Sequence, residues 1–328
     1  MNKLIRLGIS AVLLAWVGSK TDWSKFGEAF SSLRLDLWLA GVGLYVLAQA
    51  ISSRRWQIIT RALGFNQSLG QLTRLYFIGT YFSLLLPTSV GGDVIRAWYL
   101  DNRSGRRLKA FLSVFLDRLS GLIVLLAMGC LAVVFSPIAL EDWIVWSIWC
   151  MTVCGLVGLV ALPLVAGWFP LGAGRIEQIK MAMRLLRQPR LLAGTTFLAL
   201  IVQALNVVIV WLIGMALHVN IPAAYYWLLT PMVTLLTMLP ITVAGTGVRE
   251  LTTVLMLAPL GVGHDLAVSL ALLWFAVFAA VSLMGGVVYL VGRSAPLAAG
   301  LSEEVSSDHG SIGHHPDQGR TGQPQKAA

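Results

Sequence analysis

Apolar runs of about twenty residues alternate along this chain with short clusters of arginine and lysine. A run of that length crosses a hydrocarbon core of ~30 Å as a helix. Such runs fall at about Leu37–Ile59, Ala110–Phe135, Trp143–Trp168, Leu191–Leu217 and Leu266–Val291. A shorter one, Leu7–Val17, follows Lys3 and Arg6 with no small-x-small cleavage site behind it, so it reads as an uncleaved first span. The pattern predicts six full spans, with the amphipathic Ser19–Asp36 segment lying on the far surface. From Arg293 the apolar runs stop. Residues 293–328 predict a disordered cytoplasmic tail in which His309, His314 and His315 are incidental.

Two apolar stretches, Gln71–Leu100 and Tyr226–Leu260, are broken in the middle, at Leu86-Pro87-Thr88-Ser89 and Leu239-Pro240-Ile241-Thr242. Each half holds ~14 residues and reaches roughly 20 Å as a helix, past the midplane but short of a comfortable crossing. Both predict re-entrant helical hairpins, whose irregular backbone needs cover from protein or a wet cavity.

Charge agrees with that count. With six spans both termini share a side, and the loops on that side carry Arg54, Arg55 and Arg61, then Arg103, Arg106, Arg107 and Lys109, then Arg175, Lys180, Arg184, Arg187 and Arg190. The opposite loops carry a balanced segment, then Glu141, Asp142 and Asp265. Cytoplasmic loops are the basic ones, so both ends are expected in the cytoplasm. The Arg103–Lys109 cluster reads in addition as a patch for anionic lipid.

The two breaks superpose in sequence. Leu86 to Arg96 and Leu239 to Arg249 share LP-x-[ST]-V-[GA]-G-x-x-[IV]-R at a constant offset of 249 − 96 = 153. The span between the units turns the second copy over, which predicts inverted repeat units at about 37–135 and 191–291, joined by the span 143–168, within a membrane domain of 1–292. Interrupted short segments at matching places in two halves point to a transporter's substrate site. Pro87 and Pro240 break the helices, and Gly91, Gly92, Gly245 and Gly247 permit tight turns. Asp93, with Thr246 at the same place in the second copy, is expected to N-cap the returning half-helix. A helix N-terminus at depth with Arg96 or Arg249 one turn inside suits phosphate, with one such site opening to each side.

Composition narrows the class further. Charged residues are 12% against 57% hydrophobic, with mean hydropathy +0.78, about half the charge of a soluble domain. The net charge of +9 would suggest nucleic acid in a soluble protein, but here the basic residues lie between spans. Cys130, Cys150 and Cys154 lie inside spans without metal-ligand spacing and read as small packing residues. Trp143, Trp146 and Trp149 read as an interfacial belt.

Other roles stay open for the charged residues. Arg96 and Arg249 could cap carbonyls or pair with acids inside the bundle. Asp117 and Arg118 offer either ligands or an internal salt bridge, and Asp93 or Glu250 could carry protons.

At Pro87…Gly91-Gly92-Asp93-Val94-Ile95-Arg96, at Asp117-Arg118 and at Pro240…Gly245-Thr246-Gly247-Val248-Arg249-Glu250, the sequence resembles the lysylphosphatidylglycerol synthase transmembrane-region family, also called flippase-like domain proteins. The resemblance covers about Leu4 to Val291; Ala244 stands where many members have glycine. It implies a membrane region that flips a lipid, which in two-part members is made by a soluble synthase domain. The chain ends at Ala328 in a polar tail, so a stand-alone member is expected, and the word synthase does not carry over. Glycolipid, hopanoid and polyprenyl-phosphate pathways are what the resemblance associates with such members.

The expectation is thus an all-α polytopic protein of the bacterial inner membrane that moves a phospholipid or lipid-linked anion. No cofactor, metal, nucleic acid or catalytic residue is expected, and self-association is not excluded. The expected substrate contacts are Arg96, Arg249, Gly91, Gly92, Asp93, Gly245, Thr246, Gly247, Glu250, Asp117 and Arg118. The competing readings are a membrane-embedded lipid transferase, for which no His/Cys/acid cluster lies near the breaks, and a scaffold for a lipid-synthesis complex.

Overall fold

The computed structural model describes residues 32–86, 90–101, 106–135, 140–166, 188–238 and 245–293, together with 16, 17, 19–21, 24, 27, 178, 181, 182, 184 and 185. The expected first span, Arg103, the breaks at Pro87 and Pro240, and the tail beyond Arg293 therefore lie outside the described residues for all or most of their length. The chain divides into two units, Met1–Val288 and Tyr289–Ala328. The helical hairpins and the candidate site belong to the first unit.

Every regular element among the described residues is helical. The order is α1 (Leu35–Ala62), α2 (Leu69–Leu85), α3 (Gly91–Leu100), α4 (Arg107–Val134), α5 (Asp142–Ala166), α6 (Pro189–Ala216), α7 (Tyr226–Met238), α8 (Val248–Leu257) and α9 (His264–Arg293). Single 3₁₀ turns at Ala223–Tyr225 and Ala258–Leu260 flank the α7–α8 pair. Among the described residues, α1, α4, α6 and α9 (over His264–Val291) are long and apolar enough to cross a membrane. The 25-residue α5 joins the two series. Each series runs long, short, short, long: α1 to α4, then α6 to α9. α2 stops at Leu85, immediately before the first break.

Local chemistry explains several boundaries. Ser68 Oγ accepts the Gln71 N–H at 3.3 Å and Gln71 Oε1 accepts the Ser68 N–H at 3.0 Å, a reciprocal cap that starts α2. Pro189 occupies the first turn of α6, where its missing N–H has no partner to lose. α8 starts after Gly247, whose φ of +83° favours glycine.

Both short pairs fold back on themselves. In the first, a Cβ on Gly92 would stand 2.0 Å from Gly79 O and 2.1 Å from Ser83 Oγ, while one on Gly79 would stand 2.4 Å from the Arg96 stem. Backbone thus meets backbone, with Gly79 opposite residues 92 to 96 and Ser83 opposite Gly92. In the second, Gly245 (φ +76°) turns against Thr237, and the Tyr225 hydroxyl donates to Met256 O at 2.7 Å. Two antiparallel helical hairpins result.

The long helices enclose them. α1 runs antiparallel along α6, with Gly41 against Ile209 at 3.7 Å and Gly194 against Ile58 at 3.8 Å, each glycine taken with a notional Cβ. Trp38 Nε1 donates to Leu273 O at 3.2 Å, joining α1 to α9. One apolar core gathers Tyr226, Leu229 and Met232 of α7 with Ile209 and Ile213 of α6 and Leu270 of α9. A second gathers Trp56, Ile59 and Leu72 with Ala97 of α3 and Val114 of α4.

Candidate functional site

A buried ion network fixes the first hairpin to its neighbours. Asp117, on α4 and 1% exposed at its side chain, accepts Arg55 Nε of α1 at 2.9 Å and Arg96 Nη2 of α3 at 3.1 Å. The Tyr76 hydroxyl of α2 donates to the same Asp117 oxygen as Arg96, at 3.4 Å. Asp93 accepts Arg118 Nε at 2.7 Å and Arg96 Nη1 at 3.4 Å. Four helices therefore meet in one set of charge-assisted hydrogen bonds, and such bonds are about twice as strong as neutral ones.

Arg96 is held on its faces as well as its edges. Its guanidinium carbon lies 4.3 Å from the Trp56 ring centroid and 3.9 Å from that of Tyr76. Trp56 is fixed in turn by its indole N–H to Ser113 Oγ at 3.2 Å. Aromatic faces replace part of the hydration that a buried cation loses.

Behind this network lies a cavity of ≈ 350 Å³ shared by both hairpins. Four arginines, Arg55, Arg96, Arg118 and Arg249, line it with one aspartate, Asp93. Asp117 and Glu250 stand behind the wall, and even with both counted the positive charges exceed the negative by one. Arg118 lines the cavity with a side chain that is 47% exposed. Arg249 lies over Phe275 at 4.9 Å to the centroid, and Phe278 packs beside Phe275 at 6.0 Å and edge-on to Tyr45 at 6.4 Å. The second hairpin thus presents its arginine from an aromatic wall.

The structure revises several sequence expectations. Asp93, Arg96, Arg118 and Arg249 line the cavity, whereas Gly91, Gly92, Asp117, Gly245, Thr246, Gly247 and Glu250 stand outside its lining. Asp93 does not cap α3: the cap position is Val90, and the carboxylate is drawn to two guanidiniums instead. Thr246 precedes the actual cap of α8, Gly247, whose N–H donates to Glu250 Oε2 at 2.6 Å. Glu250 is thereby a helix-capping acid. Arg96 and Arg249 line the same chamber.

Arg55 is the largest surprise. By sequence it groups with Arg54 and Arg61 as a loop charge, but α1 continues to Ala62 and Arg55 is 6% exposed against Asp117. The acid that neutralises it lies 62 positions away, and only the Asp-Arg pair inside an apolar span hints at it. Arg106 stays partly exposed while donating to Gly64 O at 2.8 Å and pairing with Asp101 at 3.3 Å. Arg107 lies over the Trp98 ring at 4.9 Å.

Comparison with known proteins gives one family. The model described as the lysylphosphatidylglycerol synthase TM region matches residues 3–286. No curated protein and no solved structure matches the chain.

Proposed function

Since the chain belongs to the lysylphosphatidylglycerol synthase transmembrane-region family, a membrane-embedded and lipid-related one, we propose that it is a flippase for an anionic lipid. The observation that carries this reading is the shared cavity, where four arginines from both halves face one aspartate. A residual charge of about one unit suits a phosphodiester or a singly charged phosphate, because a site held in low dielectric takes the ligand that neutralises it. Arg118 and Arg249 are the contacts we assign to the anion, with Arg55 and Arg96 committed to the network that shapes the wall. Arg118 is bonded to Asp93 through Nε, so its two Nη groups are the ones assigned to the ligand.

Several features support transport over chemistry. The equivalent helices α1 and α6 run antiparallel, which is the relation an inverted pair of units requires. A cavity between two such units lets a polar head pass while its tails stay in lipid. We read the protein as a carrier without a reaction of its own, placed in the bacterial inner membrane with both termini in the cytoplasm. Arg103, Arg107 and Lys109 are assigned to the cytoplasmic lipid surface.

Reconstitution tests the reading. Vesicles containing the full chain and a fluorescent phosphatidylglycerol should expose the inner-leaflet label to a membrane-impermeant quencher faster than empty vesicles. Arg118→Ala and Arg249→Ala should each remove the acceleration while leaving the protein monodisperse. If neither phosphatidylglycerol nor a polyprenyl phosphate moves faster than in empty vesicles, the flippase assignment fails.

A further inference from the structure

Two amides in the middle of α6 have no role in the ion network. Gln203 and Asn206 interrupt a span that is apolar over Phe197–Val202 and again over Val207–Leu212. Asn206 Nδ2 donates to Gln203 Oε1 at 3.3 Å, and Gln203 Nε2 donates to Gly121 O of α4 at 3.4 Å. Among the described residues neither amide has another partner. Each therefore keeps one N–H, and Asn206 keeps its carbonyl oxygen. Both side chains line the cavity.

A strongly polar pair inside a membrane helix is costly unless it faces water or a ligand. Their place relative to the anion contacts is set by the anchor. Gly121 is one turn along α4 from Arg118, about 4.5 Å of rise. A Cβ on Gly121 would lie 3.3 Å from Arg55 Nη1, so the amide pair borders the cationic wall. Alongside them the antiparallel α1 adds Gln49 and Ser52 to the lining, both buried and both uncharged. One part of the chamber is therefore cationic, and the adjoining part offers neutral donors and acceptors without charge.

We propose, resting on the anionic-lipid reading, that the head group carries hydroxyls beyond its phosphate, as a polyol or sugar does, and that Gln203 and Asn206 read them. Amides pair with hydroxyls as donor and acceptor at once, which neither arginine nor an apolar wall can do. A cationic head, such as an aminoacyl ester, would meet four arginines with no spare carboxylate. A bare phosphate has no hydroxyl to meet the remaining amide N–H groups and Asn206 Oδ1.

The test uses the full chain in detergent, titrated calorimetrically with three short-chain lipids of equal charge: phosphatidylpropanol, phosphatidylglycerol and phosphatidylinositol. These differ in hydroxyl count and share the phosphodiester. Two hydroxyl contacts should tighten phosphatidylinositol over phosphatidylpropanol by about tenfold. Asn206→Leu and Gln203→Leu should bring that ratio close to one, and Asn206→Thr, which keeps a hydroxyl, should retain part of it. Equal affinity of the unaltered chain for all three lipids overturns the hydroxyl assignment and leaves the anion reading standing. A preference that survives in Asn206→Leu and Gln203→Leu overturns the assignment to these two amides. Failure to bind any of the three overturns the anionic-lipid reading itself. Should a leucine variant not fold, the ratio in the unaltered chain and in Asn206→Thr still decides.

Discussion

Arg96 Nη2 lies 3.1 Å from Asp117 Oδ2, and the same carboxylate holds Arg55 through its other oxygen. Asp117 is therefore the hinge pin of three helices. Asp117→Asn should destabilise the protein by about 3–5 kcal/mol, because Arg55 is left buried without its counter-ion and Arg96 keeps only the longer contact with Asp93. Thermal unfolding in detergent measures this, and an unchanged midpoint would contradict the network.

Arg96→Lys should fail to restore what Arg96→Ala loses. An ammonium cannot reach Asp93 and Asp117 together while lying flat between Trp56 and Tyr76. Both variants should unfold at lower temperature than the unaltered protein, by about 3 kcal/mol for the alanine. Arg249→Ala, by contrast, should lower transport more than stability. Comparing unfolding midpoints with transport rates across the three variants separates the roles.

Gly92→Ala should disrupt the first hairpin. The new methyl would sit 2.0 Å from Gly79 O, and a backbone oxygen cannot rotate away. Overpacking of this kind costs about 1–3 kcal/mol and more where the backbone itself must shift. Gly285→Ala should act similarly, since its Cβ would lie 2.1 Å from Phe77 O. Gly70→Ala and Gly263→Ala, where nothing lies within 4 Å, serve as controls expected to stay close to the unaltered stability. Protease resistance in detergent reads all four.

Tyr225→Phe removes the hydroxyl that donates to Met256 O at 2.7 Å and ties the start of the second hairpin to its end. The expected loss is about 1 kcal/mol. Hydrogen exchange should show faster opening in α8 than in α3, since the ion network of the first hairpin is untouched.

Features legible in the sequence and features hidden from it divide along a physical line. The hairpins, their shared register and the helix order are local: Pro and Gly break a helix where they stand, and a repeated motif is visible in one dimension. α2 ends at Leu85, just before Pro87, for that reason. Partnerships between distant helices leave no such trace. In sequence Arg55 looks like Arg54, although one is buried against Asp117 and the other is not. Asp93 looks like a cap because Asp favours caps, yet two guanidiniums compete for its oxygens and win. Gln203 and Asn206 give no signal because two amides in an apolar run carry no motif. Their meaning depends on what α4 places opposite them.

The seam at Gly79 and Gly92 has a mechanical consequence. With no layer of side chains between the two backbones, α2 and α3 cannot shear past one another without collision. Any movement of the first hairpin must carry both helices as one lever, with Asp93 and Arg96 fixed to it. Asp117 and Arg118 stay with α4. The joint about which that lever would turn is then made of ion pairs, whose partners can be exchanged one at a time without ever baring a charge.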